Sequence, residues 1–307
     1  MAIETILISD NISEIGINGL RQRGFQVDYD PKITHQELLV KVQEYVALVV
    51  RSRTKVTEEV LEAGKNLKVV GRLGVGLDNI DSKAASKRGI KIINTPEASV
   101  NSVAELIIGL MLSIARGIHK ADSSMKNGQW LKNSIVGFEL NGRTLGVIGM
   151  GRIGSKVSEL ARGFGMNILG YDIIPINQKL LSDLKIEEAS FERVLSDSDF
   201  VTLHVPLETN TKKMIDKRKL SLMKKTAYLV NASRGEVINE RALYQALKEG
   251  IIAGAAIDVY GVEPPLSRDL ISLPNILCTP HIGAQTVDNQ ISAANLLVER
   301  LTEALRS

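Results

Sequence analysis

The chain has 307 residues, room for two domains at roughly 100–200 residues each and for a core that needs no disulfide or metal staple. Its 38 basic and 35 acidic residues leave a net charge of +3, too balanced to point to nucleic acid or an anionic membrane as the main partner. A single cysteine, Cys278, rules out a disulfide within the chain and argues against a cysteine-based metal site.

The start, Met1-Ala2-Ile3-Glu4-Thr5, carries an acid where a signal peptide needs basic residues. The apolar run Ile6-Leu7-Ile8 is far shorter than the ~18 residues of a membrane span, so a cytoplasmic protein is expected. Residues 6–9 read as a strand and 12–23 as a helix. Next come a strand at 45–51 and a helix at 57–63 with Thr57 as its N-cap. A strand at 67–71, a helix at 82–88 stopped by Gly89, and a strand at 90–94 follow. Residues 101–119 form one long, largely apolar helix, expected to be buried. Residues 127–142 read as a loop holding the only tryptophan, Trp130.

From residue 144 the alternation restarts. Strands are predicted at 144–148, 167–171, 200–203, 227–231, 254–258 and 275–278. Helices are predicted at 153–163, 191–197, 217–223, 239–249 and 287–306. Apolar strands alternating with amphipathic helices give an α/β fold of two doubly wound parallel sheets.

The strand at 144–148 runs into Gly149-Met150-Gly151-Arg152-Ile153-Gly154, a G-x-G-x-x-G sequence opening a helix. Gly149 allows the tight turn, Gly151 lets the backbone approach a pyrophosphate, and Gly154 lets helix and strand pack closely. The helix N-terminus suits the phosphates. The next strand leads into Asp172, where a carboxylate bonds the ribose hydroxyls and repels a 2′-phosphate. No arginine follows it, so NAD is expected over NADP. The competing reading is a glycine turn in an unrelated dinucleotide-type domain.

Three further strand ends carry polar groups: Asn231-Ala232-Ser233-Arg234-Gly235, Asp258-Val259-Tyr260-Gly261-Val262-Glu263-Pro264 and Thr279-Pro280-His281-Ile282-Gly283-Ala284. Ligands of open α/β sheets bind at such ends. Hydride transfer at a carbonyl needs a proton donor at the oxygen, and His281 suits that role. Glu263 is the carboxylate that would fix its tautomer. Arg234 would hold a substrate carboxylate and polarise the carbonyl. Taken singly, each has a plainer explanation as a surface ion pair or a satisfied structural residue. Their joint placement downstream of a cofactor turn favours catalysis.

These motifs, with His204-Val205-Pro206-Leu207 and Thr209 to Thr211, resemble the D-isomer-specific 2-hydroxyacid dehydrogenase family over essentially the whole length. The resemblance implies a Rossmann NAD-binding domain (99–284) set into a flavodoxin-like substrate-binding domain (1–98, completed by 285–307). It places the active site in the cleft, with Arg234, Glu263 and His281 as the catalytic trio. It implies NAD contacts from Gly149, Gly151, Arg152, Ile153, Gly154, Asp172, His204, Val205, Pro206, Thr211, Ala232, Ser233, Arg234, Asp258, His281, Gly283 and Ala284. It also implies a homodimer, with residues 101–142 at the interface.

Substrate identity must come from the first domain. Arg51-Ser52-Arg53 follows one strand, and Gly74-Val75-Gly76 follows the next. The glycines expose backbone N–H groups to an oxyanion. A simple hydroxy acid brings only one carboxylate, which Arg234 and the Gly74–Gly76 loop could already hold. Extra arginines point to a second anion such as a phosphate, unless they are solvated surface charges. The Arg-Ser-Arg-Thr run, the Gly-Val-Gly-Leu-Asp-Asn-Ile-Asp run and Asn94-Thr95-Pro96 resemble the family branch that oxidises D-3-phosphoglycerate, the entry to serine synthesis. Lys132 matches a position that reaches a neighbouring subunit's site in that branch. Many of its members carry a C-terminal serine-binding domain. This sequence stops at Ser307, and serine inhibition by that route is not expected. Rival readings are a glyoxylate or hydroxypyruvate reductase, which needs no phosphate site, a phosphite dehydrogenase, and, in another class, a non-catalytic NAD-sensing corepressor-like protein.

Overall fold

The computed structural model describes residues 4–306. Met1 to Ile3 and Ser307, on which the leader and terminus readings partly rest, lie outside the described residues. The chain forms two compact units, residues 1–99 with 284–307, and residues 100–283.

Unit 1 holds strands β1 (Thr5–Ile8), β2 (Gln26–Tyr29), β3 (Ala47–Val50), β4 (Val69–Arg72) and β5 (Lys91–Asn94). Its helices are α1 (Glu14–Gln22), α2 (His35–Lys41), α3 (Glu58–Ala63) and α4 (Ser82–Lys87). The last helix of the chain, α12 (Val287–Arg306), returns to it. The sheet is parallel, in the order β2-β1-β3-β4-β5, the flavodoxin-like doubly wound order.

Side chains alternate across the strands. Ile6, Ile8, Val49 and Val69 cluster with Leu20 of α1 and with Leu297 and Leu301 of α12. Leu7, Leu48, Val50 and Val70 cluster instead with Leu38, Val60, Leu61 and Ala85 of the opposite helices. Both faces are buried, which is why the central strands read as unbroken apolar runs. Thr57 caps α3, accepting from the N–H of Val60.

The sequence reading passed over β2 and α2. β2 is an edge strand with one buried residue, Val27, so no apolar run marks it. α2 is short, but it carries a capping box in which the Thr34 side chain accepts from Glu37 N and the Glu37 carboxylate from Thr34 N. Thr-x-x-Glu was a visible signal there.

Unit 2 opens with α5 (Val100–Arg116) and α6 (Ile118–Lys126). The single helix expected at 101–119 is in fact two. Gly117 takes the left-handed conformation (φ +60°) and the axes turn by 66°. Among the described residues, no single helix is long and apolar enough to cross a membrane.

The sheet follows: β6 (Thr144–Ile148), α7 (Arg152–Gly163), β7 (Asn167–Tyr171), α8 (Gln178–Asp183), β8 (Ile186–Glu188), α9 (Phe191–Asp197) and β9 (Phe200–Leu203). Then come α10 (Lys217–Leu220), β10 (Tyr228–Asn231), α11 (Glu240–Lys248), β11 (Gly254–Ile257) and β12 (Ile276–Cys278). All neighbours are parallel, in the order β12-β11-β10-β9-β6-β7-β8, a Rossmann order whose direction reverses between β6 and β9. Val201, Leu203, Leu229 and Ile257 pack towards α9, α10 and α11. Leu145, Val147, Phe200 and Val230 pack towards α5 and α7. α8 and β8 were not foreseen, since α8 buries no residue and β8 only Ile186. The helix expected at 217–223 is a single turn, 217–220, that buries only Leu220.

Candidate active site

In unit 2, β6 runs through Gly149-Met150-Gly151 into α7. Gly149 has φ +95°, and a Cβ there would sit 2.7 Å from the His204 carbonyl oxygen. A Cβ on Gly154 would sit 2.1 Å from the Gly149 carbonyl oxygen, so turn and helix close up only with glycine at both places. A Cβ on Gly151 would meet nothing within 4 Å. α7 begins there with no side-chain cap, leaving its first N–H groups and its positive dipole end for an anion.

Asp172, just past β7, accepts from Met150 N at 2.7 Å and from Ile174 N at 3.3 Å. It pins the glycine turn, and each oxygen keeps a second lone pair for a ribose hydroxyl. Open space over Gly151, an uncapped helix start and this carboxylate together fit a dinucleotide without a 2′-phosphate. Arg152 and Ile153 begin α7 at the same turn.

The segment after β9 borders the turn from the other side of the strand-order reversal. His204 contacts the Thr202 hydroxyl through Nε2 at 3.1 Å. Burial pushes its pKa down to about 3, so the ring is neutral at physiological pH. A Cβ on Gly149 would meet the Val205 side chain at 3.2 Å. Thr211 is committed to the loop itself: its hydroxyl donates to the Pro206 carbonyl at 2.6 Å and accepts from Glu208 N at 2.8 Å.

The other three strand-end motifs come together. After β10, the Asn231 side chain organises the Arg234 turn. Its Oδ1 accepts from Ser233 N at 3.0 Å and from the Ser233 hydroxyl at 2.7 Å, and its Nδ2 donates to the Arg234 carbonyl at 2.9 Å. Arg234 Nη1 donates to the Ser233 carbonyl at 2.7 Å. Gly235 then presses on the next loop: a Cβ there would lie 1.9 Å from the Tyr260 carbonyl carbon. Ala232 separates Asn231 from Ser233 at the start of the turn.

Within that next loop Tyr260 N donates to Glu263 Oε1 at 3.1 Å. Glu263 Oε2 lies 2.6 Å from His281 Nδ1. His281 itself is left-handed, with φ +53°. Asp258, 1 % exposed, holds it there. The Asp258 carbonyl accepts from His281 N at 2.8 Å, and its carboxylate accepts from Ile282 N and Gly283 N, both at 2.8 Å, and from the Thr279 hydroxyl at 2.6 Å. Two successive N–H groups thus hold the carboxylate while a third is held by the same residue's carbonyl. The Tyr260 hydroxyl donates to the Thr279 carbonyl at 2.9 Å, and burial pushes the pKa of the Tyr260 hydroxyl and of the Cys278 thiol up, so both stay neutral. A carboxylate at Nδ1 requires a hydrogen there, so Nε2 is the nitrogen left to exchange protons. Asn231, Tyr260 and Thr279 lay in motifs already singled out, but their bracing roles follow only from these contacts.

Unit 1 carries the remaining predicted residues. Arg51, Ser52 and Arg53 follow β3. The Arg53 guanidinium is engaged by Asp10 (Nε, 3.2 Å), by the Ile33 carbonyl (Nη1, 3.0 Å) and by the Ser9 carbonyl. Gly74, Val75 and Gly76 follow β4. The Gly74 N–H, expected to face an oxyanion, donates to the Thr95 hydroxyl at 2.9 Å, because the loop folds onto the segment after β5. The Val75 carbonyl accepts from Asn94 Nδ2 at 2.7 Å. Lys132 is exposed in the loop beyond Trp130, and Ala284 opens the return to unit 1.

Residues 108–283 match the family model described as D-isomer specific 2-hydroxyacid dehydrogenase, NAD binding domain. The chain is 46% identical over 302 residues to a D-3-phosphoglycerate dehydrogenase of Methanocaldococcus jannaschii, covering 98% of this chain and 57% of that protein. It is 46% identical over 272 residues to a hydroxypyruvate reductase of Thermotoga maritima, covering 88% of each. A crystal structure of a glyoxylate reductase from Paecilomyes thermophila superposes with TM-score 0.92 at 29% identity, covering 100% of this chain and 97% of that one. The chain thus spans about half the length of its phosphoglycerate dehydrogenase relatives and most of that of the two reductases. With its glycine turn, Asp172 and the Arg234, Glu263 and His281 loops, the chain belongs to the D-isomer specific 2-hydroxyacid dehydrogenase family and carries that family's NAD-binding domain.

Proposed function

We propose that the chain oxidises D-3-phosphoglycerate to 3-phosphohydroxypyruvate, the first step of L-serine biosynthesis. The observation that carries the chemistry is the 2.6 Å pairing of Glu263 with His281 beside the Arg234 turn. NAD, held by the glycine turn and Asp172, would supply the hydride acceptor for C2. His281 Nε2 takes the proton of the 2-hydroxyl, and Glu263 stabilises the imidazolium that forms. Arg234 holds the substrate carboxylate and orients the oxygen. Arg51 of unit 1 takes the phosphate. In this reading unit 2 is the NAD-binding domain and unit 1 the substrate-binding domain. The phosphoglycerate dehydrogenase relatives, alike over almost the whole chain, support the substrate choice.

A second reading, hydroxypyruvate or glyoxylate reductase, is favoured by the Thermotoga maritima relative, equal in identity and comparable in length. NADH oxidation decides between them. A preference of about a hundredfold or more in kcat/KM for 3-phosphohydroxypyruvate over hydroxypyruvate and glyoxylate, roughly 2.7 kcal/mol, supports the phosphoglycerate assignment. Equal or faster turnover of the unphosphorylated acids replaces it with the reductase.

The protein works in the cytoplasm as a homodimer. Trp130 (76 % exposed), Val136 (86 %), Ile118, Met125 and Leu131 leave an apolar surface on α6 and the following loop. Lys132 sits among them and reaches the partner's substrate. Sedimentation analysis showing a monomer at micromolar concentration overturns the dimer.

A further inference from the structure

Unit 1 has its own strand-order reversal, between β1 and β3, and the carboxyl ends of those strands form the crevice where a sheet of this kind binds ligands. Here a side chain occupies that crevice. Asp10, two residues past β1, is 2 % exposed. One oxygen accepts from Arg51 N at 2.6 Å and Thr54 N at 3.2 Å. The other accepts from the Thr54 hydroxyl at 2.5 Å and lies 3.2 Å from Arg53 Nε. The turn after β3 is wrapped around a buried carboxylate as such turns wrap a bound anion.

A carboxylate so buried is tolerable only because donors and a cation surround it. Arg53 supplies that cation and spends more of its fork on the Ile33 and Ser9 carbonyls. Asn79 closes the turn from behind, donating to the Arg51 carbonyl at 2.8 Å and the Thr54 carbonyl at 2.7 Å. Arg51 is therefore fixed at both its N–H and its carbonyl. Among the described residues its guanidinium makes one long contact, to the Asn11 carbonyl at 3.3 Å.

We propose that Asp10 is a positioning residue for substrate recognition: it sets Arg51 through the backbone and retains Arg53 as a brace, so the second anion of the substrate meets Arg51 rather than Arg53. This rests on the phosphoglycerate reading. The two arginines look equivalent in sequence, but a buried carboxylate gives them different work.

The test compares kcat/KM for 3-phosphohydroxypyruvate and for hydroxypyruvate in wild type, Asp10→Asn, Arg51→Gln and the double variant. The ratio of the two is the readout. The Asn side chain keeps the size of Asp but turns an NH2 towards the donors. The ratio should fall about ten- to hundredfold in Arg51→Gln, the value of a hydrogen bond to a charged group. It should fall comparably in Asp10→Asn, through KM for the phosphorylated acid. The double variant should be no lower than Arg51→Gln alone, because both changes act through one contact. Where Asp10→Asn does not fold, Thr54→Val removes one donor to the same carboxylate and should lower the ratio in the same direction. A variant with a lower melting temperature and an unmoved ratio, or a double variant in which the losses multiply, overturns the positioning role and leaves the phosphoglycerate reading standing. A wild type that does not prefer the phosphorylated acid overturns both.

Discussion

The contact between Glu263 and His281 sets which ring nitrogen works, and it makes the two residues unequal. In the mechanism proposed above, His281→Ala removes the proton carrier and should lower kcat by roughly 10²- to 10⁴-fold. Glu263→Gln keeps the carrier but loses the charge behind it. It should cost less than the histidine change, because the ring stays and loses only the charge that steadies it. A Glu263→Gln kcat equal to wild type would remove the carboxylate from the mechanism. His204 bears on pH dependence. Burial holds its folded pKa near 3, below the 6.5 of an unfolded histidine. The unfolded chain therefore binds the extra proton first as pH drops. Stability linked to His204 is complete above about pH 6.5 and is lost as pH falls from there towards 3, by at most about 1.4 kcal/mol per pH unit. His204→Gln should flatten that part of a denaturation series measured between pH 7 and pH 4. Cys278 is held as the neutral thiol by burial, so iodoacetamide at pH 7.5 should alkylate it many times more slowly than a free thiol.

At the level of elements, the loops after β10 and β11 are registered by Gly235. An added methyl would overlap the Tyr260 backbone, so one loop must move. Gly235→Ala should lower kcat/KM by about a hundredfold, the cost of roughly a 1 Å misplacement, and activity close to wild type would show the register to be unimportant. What was legible in the sequence follows the same physics. β1, β3, β9, β10 and β11 are buried on both faces and announced themselves as apolar runs. β2, β8 and α8 lie at sheet edges or bury almost nothing, so no pattern was imposed on them. The long helix at 101–119 was read through Gly117 because its apolar residues keep helical spacing while only the backbone turns. The Arg234, Glu263 and His281 loops were readable because each directly follows an apolar strand. Asp10 was not: the groups it binds lie some forty residues further on, and no local pattern links them.

On the scale of the whole molecule, unit 1 is assembled from both ends of the chain. α12 seats Ala293, Ala294, Leu297, Val298 and Leu301 in the core with α1 and β4, all under a tenth exposed. Losing even two buried leucines costs about 4–10 kcal/mol, as much as the whole stability of an ordinary domain. A chain cut after Thr286 should therefore lose unit 1, seen as protease sensitivity confined to residues 4–99. Unit 2, a continuous stretch, should survive as a folded core. Protection of residues 4–99 in the truncated chain would contradict this account of α12.

The same arrangement bears on how the protein is made. Ile6, Ile8, Val49 and Val69 leave the ribosome early, while the helix that covers them is synthesised only after all of residues 100–283. At ordinary translation speeds that interval is roughly 10–40 s, far longer than hydrophobic collapse takes. Throughout it the N-terminal sheet carries an oily face that α1 covers only in part, so the nascent chain offers a binding surface to chaperones that the finished protein no longer has.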